Sequence, residues 1–247
     1  MNQLLLEQLL KDAYTHQVIN ELYIYLNWVI IKTDRYAMST MLTGMPGMVD
    51  PFGMNTCYDS VIGSNACTIA EEFLLSNETL KKAIGMAALK AILPDVPEYM
   101  KGNSIDLFKN MAETKSTCFI GHFQEAAAMR NAGFPVNIIE LFPRPGDIHW
   151  DNSHDVLRKA KVVFMTGLTL VNNTFDEVIR RTPEAEYRII MGPTVPLSKC
   201  LFNFGIWSAG STLIRNPDTT IQYCQRGGGS IAYAPDGALE KVTISRN

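Results

Sequence analysis

The sequence predicts an α/β protein, a parallel sheet with helices on both faces, preceded by a smaller α+β domain. Three observations carry this reading. From Ser116 onward, short apolar runs alternate with helical patterns, the order that builds a parallel sheet. Three loops, Gly121-His122-Phe123, residues 166–174 and residues 192–198, each follow such a run and precede a helical pattern. That puts them at the carboxyl ends of successive strands, the edge where open α/β sheets bind ligands. The first 111 residues instead run from β-rich segments into helices, and the boundary is expected near residue 112, giving domains 1–111 and 112–247.

Element by element, Leu4, Leu5, Leu9 and Ala13 fall on one face at helical spacing, so residues 2–13 read as a docking helix. Residues 18–33 and 36–42, rich in Ile, Val, Tyr and Trp and separated by Lys32-Thr33-Asp34-Arg35, read as two antiparallel strands. The Gly-, Pro- and Met-rich stretch 43–63 reads as a loop; methionines 38, 41, 45, 48 and 54 suit core gap-filling better than a soft-metal site. Helices are expected over 66–75 and 76–93, the second capped by Ser76 or Asn77, with Leu80, Ile84, Ala87, Ala88 and Ile92 as its buried stripe. Residues 94–115 have the Pro- and Gly-rich composition of a crossing between domains, with a short helical patch.

In the second part, strands are expected over 117–121, 136–141, 162–166 and 188–191, with helices over 123–132, 154–160 and 172–181. Gly133 stands where a helix C-cap wants glycine. Residues 205–215, a helix over 217–225 and a last strand after Gly227-Gly228-Gly229 close the domain. That glycine run precedes no helix and is not a phosphate loop.

Composition narrows the function. The chain has 247 residues, 47% hydrophobic and 19% charged, enough for a full core. A net charge of −3 and the lack of a Lys/Arg cluster argue against a nucleic-acid surface. Five scattered cysteines, never in a C-x-x-C pair, argue against a disulfide framework or zinc knuckle and suit a reducing cytoplasm. No uncharged apolar stretch approaches the roughly 20 residues of a membrane span. A soluble cytoplasmic protein with a small-molecule ligand is expected; a homodimer is compatible with it.

The chemistry gathers on the loops. Gly121-His122-Phe123 lacks the further glycines of a dinucleotide fingerprint, which disfavours NAD. Glu140 and Leu141 end the next strand, about 20 residues on, where an acid can accept hydrogen bonds from a ribose diol; the alternative is a surface carboxylate. Residues 143–150 hold Arg144, Asp147, His149 and Trp150 between stiffening prolines and could form a rigid lid. With Asp151, His154 and Asp155 they include many ligand types, but in no metal-loop spacing, and 151–155 also suits a helix cap. Thr166, Gly167, Asn172, Asn173 and Thr174 offer hydroxyls, amides and backbone N–H groups to a polar ligand, or simply cap a helix. Pro193, Thr194 and Ser198 sit in a loop stiffened by two prolines, favouring a binding role; Ser198 lacks the setting of a nucleophilic serine.

The segments Ala83-Ile84-Gly85-Met86-Ala87-Ala88-Leu89, Phe142-Pro143-Arg144-Pro145-Gly146-Asp147, 166–174 and 192–198, with Ala209-Gly210-Ser211, resemble the heavy-metal chelation family of bacterial and archaeal proteins. The resemblance implies an enolase-N-terminal-like domain joined to a Rossmann-like domain, with a site in the cleft between them. The chain departs from the family pattern at Phe142, Asn173 and Lys199-Cys200, all in the site loops, so its ligand is expected to differ from that of other members.

Two functions follow as expectations. The first is an enzyme binding an adenosine-type cofactor, most plausibly S-adenosylmethionine, for alkyl transfer of the methyltransferase or aminocarboxypropyl type. Gly121, His122, Phe123, Glu140, Leu141, Thr166, Gly167, Asn172, Asn173, Thr174, Pro193, Thr194 and Ser198 would hold it, and Phe123, Trp150 or Tyr187 would face the sulfonium. Catalytic candidates are His149, Asp147 and Asn172. The alternative is a metal-ion or metal-chelate binding protein using His122, Asp147, His149 and Cys200.

Overall fold

A computed structural model describes residues 1–41 and 58–246. Helix α1 (Gln3–Lys11) starts where the Asn2 side chain accepts the Leu4 and Leu5 N–H groups, and it buries Leu5, Leu6 and Leu9. Leu4, expected on that face, is 55% exposed and Leu6 takes its place. Three strands follow rather than two: β1 (Glu21–Ile24), β2 (Trp28–Lys32) and β3 (Tyr36–Thr40) form an antiparallel meander. The break inside residues 18–33 is a tight hairpin in which the Tyr25 N–H donates to the Trp28 carbonyl at 2.8 Å. Its turn residues include apolar Leu26, 71% exposed, which hides the turn from a composition reading.

The meander buries both faces. Val29 and Ile31 pack toward the helices, while Trp28, Ile30 and Met38 pack with Cys224. Helix α2 (Ala66–Leu75) is capped by Asn65. Helix α3 (Thr79–Ile92) is buried nearly all round, from Lys82 to Leu89 and again at Ala91 and Ile92, rather than along one stripe. Gly85 permits this: a Cβ there would lie 2.9 Å from the Phe73 Cβ and 3.0 Å from the Leu74 nitrogen. Glu78 occupies the cap position, one residue past the expected Ser76 or Asn77, and Ser76 accepts the Glu78 N–H. Met45, Met48, Met54, Cys57 and most of the Gly-rich stretch lie outside the described residues; Met38 is a core residue.

The larger sheet has eight strands: β4 (Met100–Lys101), β5 (Thr117–Ile120), β6 (Val136–Glu140), β7 (Ile148–His149), β8 (Val162–Thr166), β9 (Tyr187–Met191), β10 (Ser208–Ile214) and β11 (Leu239–Ser245). Their order is β4-β11-β10-β9-β8-β5-β6-β7, with β10 through β7 mutually parallel and β11 antiparallel to β10 and β4. Residues 94–115, read as a crossing, supply β4 and the helix α4 (Ser104–Thr114) to this sheet. The Pro-rich segment supplies the edge strand β7. Helices α5 (Gln124–Asn131), α6 (His154–Lys159), α7 (Phe175–Arg181) and α8 (Pro217–Gln225) complete the fold. The loop 192–198 leads into a 3-10 turn, Lys199–Phe204, not an α-helix.

Successive residues of the central strands are buried on opposite faces, as a parallel sheet covered on both sides requires. Phe119, Ile138, Val162, Phe164 and Ile189 face α4 and α5, with the Phe119 and Phe164 rings stacked at 4.7 Å. Cys118, Ile120, Ile139, Val163, Met165 and Ile190 face the other way, against Leu157, Phe175 and Val178, in a core continuous with Leu5, Leu9, Ile84 and Leu89 of the first part. Among the described residues no helix is long and apolar enough to cross a membrane.

Candidate functional site

The chain leaves β5 toward β6 on one side and later returns to β8 on the other. The strand order therefore reverses between β5 and β8, and a crevice opens at their carboxyl ends. Register does the rest: Ile120 pairs with Ile139 and with Met165, so the next residues, Gly121, Glu140 and Thr166, reach one rim. Gly121 has φ +108°, and a Cβ there would lie 3.2 Å from the Thr166 side chain. Only glycine satisfies both conditions without strain.

A cavity of about 290 Å3 occupies this rim. The first turn contributes Gly121, His122 and Phe123, and the second strand end contributes Glu140 and Leu141. The 166–174 loop contributes Thr166, Leu168, Thr169, Asn172 and Thr174, and the Pro-rich segment contributes Arg144 and Trp150. Burial raises the Glu140 carboxyl above its usual range, opposed by the His122 and Leu141 N–H groups and the nearby imidazole. Among the described residues Glu140 has no cationic side chain bonded to it, unlike Asp147 beside it.

Asp147 differs. Its side chain is shielded from solvent, and burial would raise its pKa, but Arg130 at 2.8 Å, the Arg144 N–H at 3.1 Å and His122 Nδ1 at 3.2 Å pull it below the usual range. Arg130 also donates to the Gly146 carbonyl at 2.7 Å, so α5 braces the Pro-rich loop. Trp150 is held from above by the Arg181 guanidinium, 4.2 Å from its ring. The Asn172 amide oxygen accepts both the N–H (3.1 Å) and the hydroxyl (2.6 Å) of Thr174, which leaves its NH2 group as the donor for a ligand.

A second cleft, about 370 Å3, adjoins the first and shares His122, Phe123, Thr166 and Leu168 with it. Gly167, Gly192, Pro193 and Thr194 line it from the larger sheet, and Trp28 and Thr40 from the meander. The third loop is stapled across: the Thr40 N–H donates to Thr194 Oγ1 at 3.1 Å, and Lys90 Nζ donates to the Met38 carbonyl at 2.9 Å and to the Pro193 carbonyl. Burial pushes the Lys90 amine down to about 7.

The structure thus brings Gly121, His122, Phe123, Glu140, Leu141, Thr166, Asn172 and Thr174 to one cavity, and Gly167, Pro193 and Thr194 to its neighbour. Four others lie elsewhere. Asn173, at φ +64°, turns toward α1 and accepts from the Met1 nitrogen at 2.6 Å. Ser198 caps the following 3-10 turn by accepting the Cys200 N–H at 3.1 Å. His149 is 41% exposed, its Nδ1 accepting the Asp151 N–H. Tyr187 begins β9, at the opposite end of the strands, packed edge-on against Trp207. The proposed metal ligands do not converge: His122 and Asp147 touch, but Cys200 lies beside Gln8, its thiol pushed up to about 11 by burial. Among the described residues no three His, Cys, Asp or Glu side chains gather as metal ligands.

Sequence reasoning missed Trp28, Asn103, Ser104, Ser211 and Thr212, which line the second cleft. The signal for the last two was a run of small residues, three of them hydroxyl-bearing, inside a strand, 208–212, that is buried throughout. Buried hydroxyls need partners: Ser211 donates to the Val195 carbonyl at 2.7 Å, tying β10 to the third loop.

Two sequence families carrying the same description, "Putative heavy-metal chelation", match residues 6–93 and 103–243. An uncharacterized protein of Methanocaldococcus jannaschii is 26% identical over 185 residues, covering 70% of this chain and 71% of its own. A crystal structure of a protein of unknown function from Desulfitobacterium hafniense DCB-2 superposes with a TM-score of 0.84 at 18% identity, over 98% of this chain and 97% of the other. One from Pyrococcus horikoshii, also of unknown function, gives 0.76 at 18%, over 98% of each chain. At that identity the likeness is one of fold.

Proposed function

The chain belongs to the family described as "Putative heavy-metal chelation", and from that premise we propose that it binds a small-molecule metal chelate in the cavity at the carboxyl ends of β5, β6 and β8. One observation carries the choice of a chelate over a bare ion: among the described residues no three donor side chains converge. A structural or catalytic metal takes about three or four protein ligands. The described residues do not fit a bare ion, and an organic ligand would have to bring most of the coordination shell with it. The cavity suits such a guest. Arg144, His122 and the Asn172 amide can meet an anionic skeleton, Thr166 and Thr169 its hydroxyl or carbonyl groups, and Phe123 and Trp150 its apolar face.

A second reading is favoured by the place of Glu140. In a doubly wound sheet, the acid ending the strand beside the glycine turn is where a nucleoside diol is held. An adenosine-type cofactor such as S-adenosylmethionine would use it so, for alkyl transfer in which the protein supplies positioning and electrostatics. Of the three catalytic candidates, Asn172 lines this cavity; Asp147 is committed to Arg130 and His149 faces solvent.

Thermal unfolding against four probes separates the readings: S-adenosylmethionine, NADH, Ni(II) or Fe(III) salts, and the same metals as citrate or histidine complexes. Only a ligand that prefers the folded state raises the midpoint. A chelate-specific rise, reduced in Arg144→Ala, is expected. A rise with bare metal that equals the rise with its complexes overturns the chelate reading, and a rise with S-adenosylmethionine alone replaces it with the second.

A further inference from the structure

Loop 166–174 has a cavity on each side. Thr169 lines the rim cavity and also a smaller one, about 150 Å3, bounded by α1, α3 and α7. Into this smaller cavity runs Lys82 of α3. The residue is 5% exposed, and its amine has no hydrogen-bond or ion-pair partner among the described residues. The stem is buried and the amine opens on the cavity, a placement unusual for a lysine without a counter-charge. Asp176 borders the same cavity but is exposed, and both its oxygens accept from the Asn2 amide at 3.1 Å.

Most of the other polar groups present are donors, the Met1 amino group that interacts electrostatically with Lys82 among them. Ser76 Oγ already accepts the Glu78 N–H, which leaves its proton to give. Asn173, whose amide oxygen is occupied by the Met1 nitrogen, has its NH2 group to give. Among the described residues Asn173 is the only non-glycine at positive φ, a conformation that aims it away from Asn172 and into this space. A volume of 150 Å3 is several times the roughly 30 Å3 share of one water. It admits an oxyanion of four or five heavy atoms and excludes a nucleotide.

We infer that this cavity is a binding site for a small oxyanion, a phosphate or a carboxylate, seated on Lys82 and closed by Ser76 and Asn173. The site is independent of the rim cavity's ligand, so its test leaves that proposal untouched.

Thermal unfolding of the full chain is followed in rising inorganic phosphate, sulfate or acetate, with chloride holding ionic strength constant. A ligand at tenfold excess over its dissociation constant should raise Tm by about 3–6 °C. Lys82→Met is expected to lose that increment while folding with an unchanged or higher Tm in chloride, since a buried charge has gone. Lys82→Arg should keep part of it. An increment from phosphate or sulfate marks a tetrahedral occupant and one from acetate a planar one; either supports the site if it depends on Lys82. No increment above chloride in the wild-type chain, or an increment retained in Lys82→Met, overturns it. Should Lys82→Met fail to fold, isothermal titration of the wild type with the same anions decides: one bound per chain supports the site, and none overturns it.

Discussion

Gly167→Ala tests whether the second and third loops meet as tightly as the structure shows. Gly167 lacks a positive φ, so alanine is allowed by the backbone and the effect is one of space alone. An added Cβ would lie 2.6 Å from Val195 Cγ2, 3.1 Å from the Val195 nitrogen and 3.4 Å from the Thr194 carbonyl carbon. Val195 is fully buried and stiff about χ1, and two of the three contacts are backbone, so little can yield. Overpacking of this kind costs about 1–3 kcal/mol. Against it stands the roughly 0.4–1 kcal/mol that alanine contributes by restricting the unfolded chain. The net is about 1.5 kcal/mol of destabilisation, or a Tm lower by about 3–6 °C for a chain of this size. Urea unfolding at constant m-value measures it. The double variant with Val195→Ala should recover about 1 kcal/mol relative to the sum of the single changes. A Gly167→Ala protein as stable as wild type, or a double variant additive within about 0.5 kcal/mol, would refute the close approach.

Three further outcomes follow from the charges. Glu140→Gln should stabilise the protein at neutral pH, since a carboxyl whose charged form is disfavoured by burial gives way to a neutral amide. A carboxyl whose folded pKa is raised loses stability as pH climbs through that pKa. The advantage of the variant over wild type should therefore be absent below the usual carboxylate range and grow toward pH 7; an equal advantage at every pH would point to packing instead. Asp147→Asn should cost about 1–3 kcal/mol in urea unfolding at pH 7, since Arg130 loses its buried partner. Because the folded pKa of Asp147 is depressed, that difference should shrink as pH falls through the carboxylate range, and one that persists there would contradict the ion pair. Thiol labelling of the native protein should spare Cys118, pushed up to about 12 by burial, and Cys224, pushed to about 11. Modification of Cys118 ahead of unfolding would show the sheet core to be open.

The parallel sheet was legible because its strands are buried on both faces and read as near-continuous apolar runs bounded by glycine; strand 162–166 comes out with the expected bounds, as does the helix 66–75 of the first part. Residues 18–33 failed for the opposite reason. Their turn carries an exposed leucine, and a tight turn closed by one backbone hydrogen bond leaves no trace in hydropathy. Strand β4 was hidden because two residues make no period, and its pairing partner, β11, lies 140 residues away. The rim was legible to the extent that register is: once β5, β6 and β8 are parallel neighbours, Gly121, Glu140 and Thr166 must align. Direction within a loop is a different matter. Asn172 and Asn173 are adjacent and chemically identical, yet one faces the rim cavity and the other, through a single positive φ, the space beside Lys82.

Two acids seven residues apart show where a ligand is expected. Asp147 meets an arginine, an imidazole and a backbone N–H, and they outweigh its burial, so its charge is committed within the protein. Glu140 meets two backbone N–H groups and a nearby imidazole, which do not outweigh its burial, so its charged form lies above its ordinary free energy. Among the described residues the same imbalance recurs at Lys90, held only by main-chain carbonyls, and at Lys82, held by none. Local stability alone would have favoured an amide at 140 and an apolar side chain at 82. Rules of local stability are broken chiefly at functional sites, where a partner from outside the chain can complete the bonding. Glu140 lies in the rim cavity and Lys82 in the one behind it, and a single loop, 166–174, forms the wall between them.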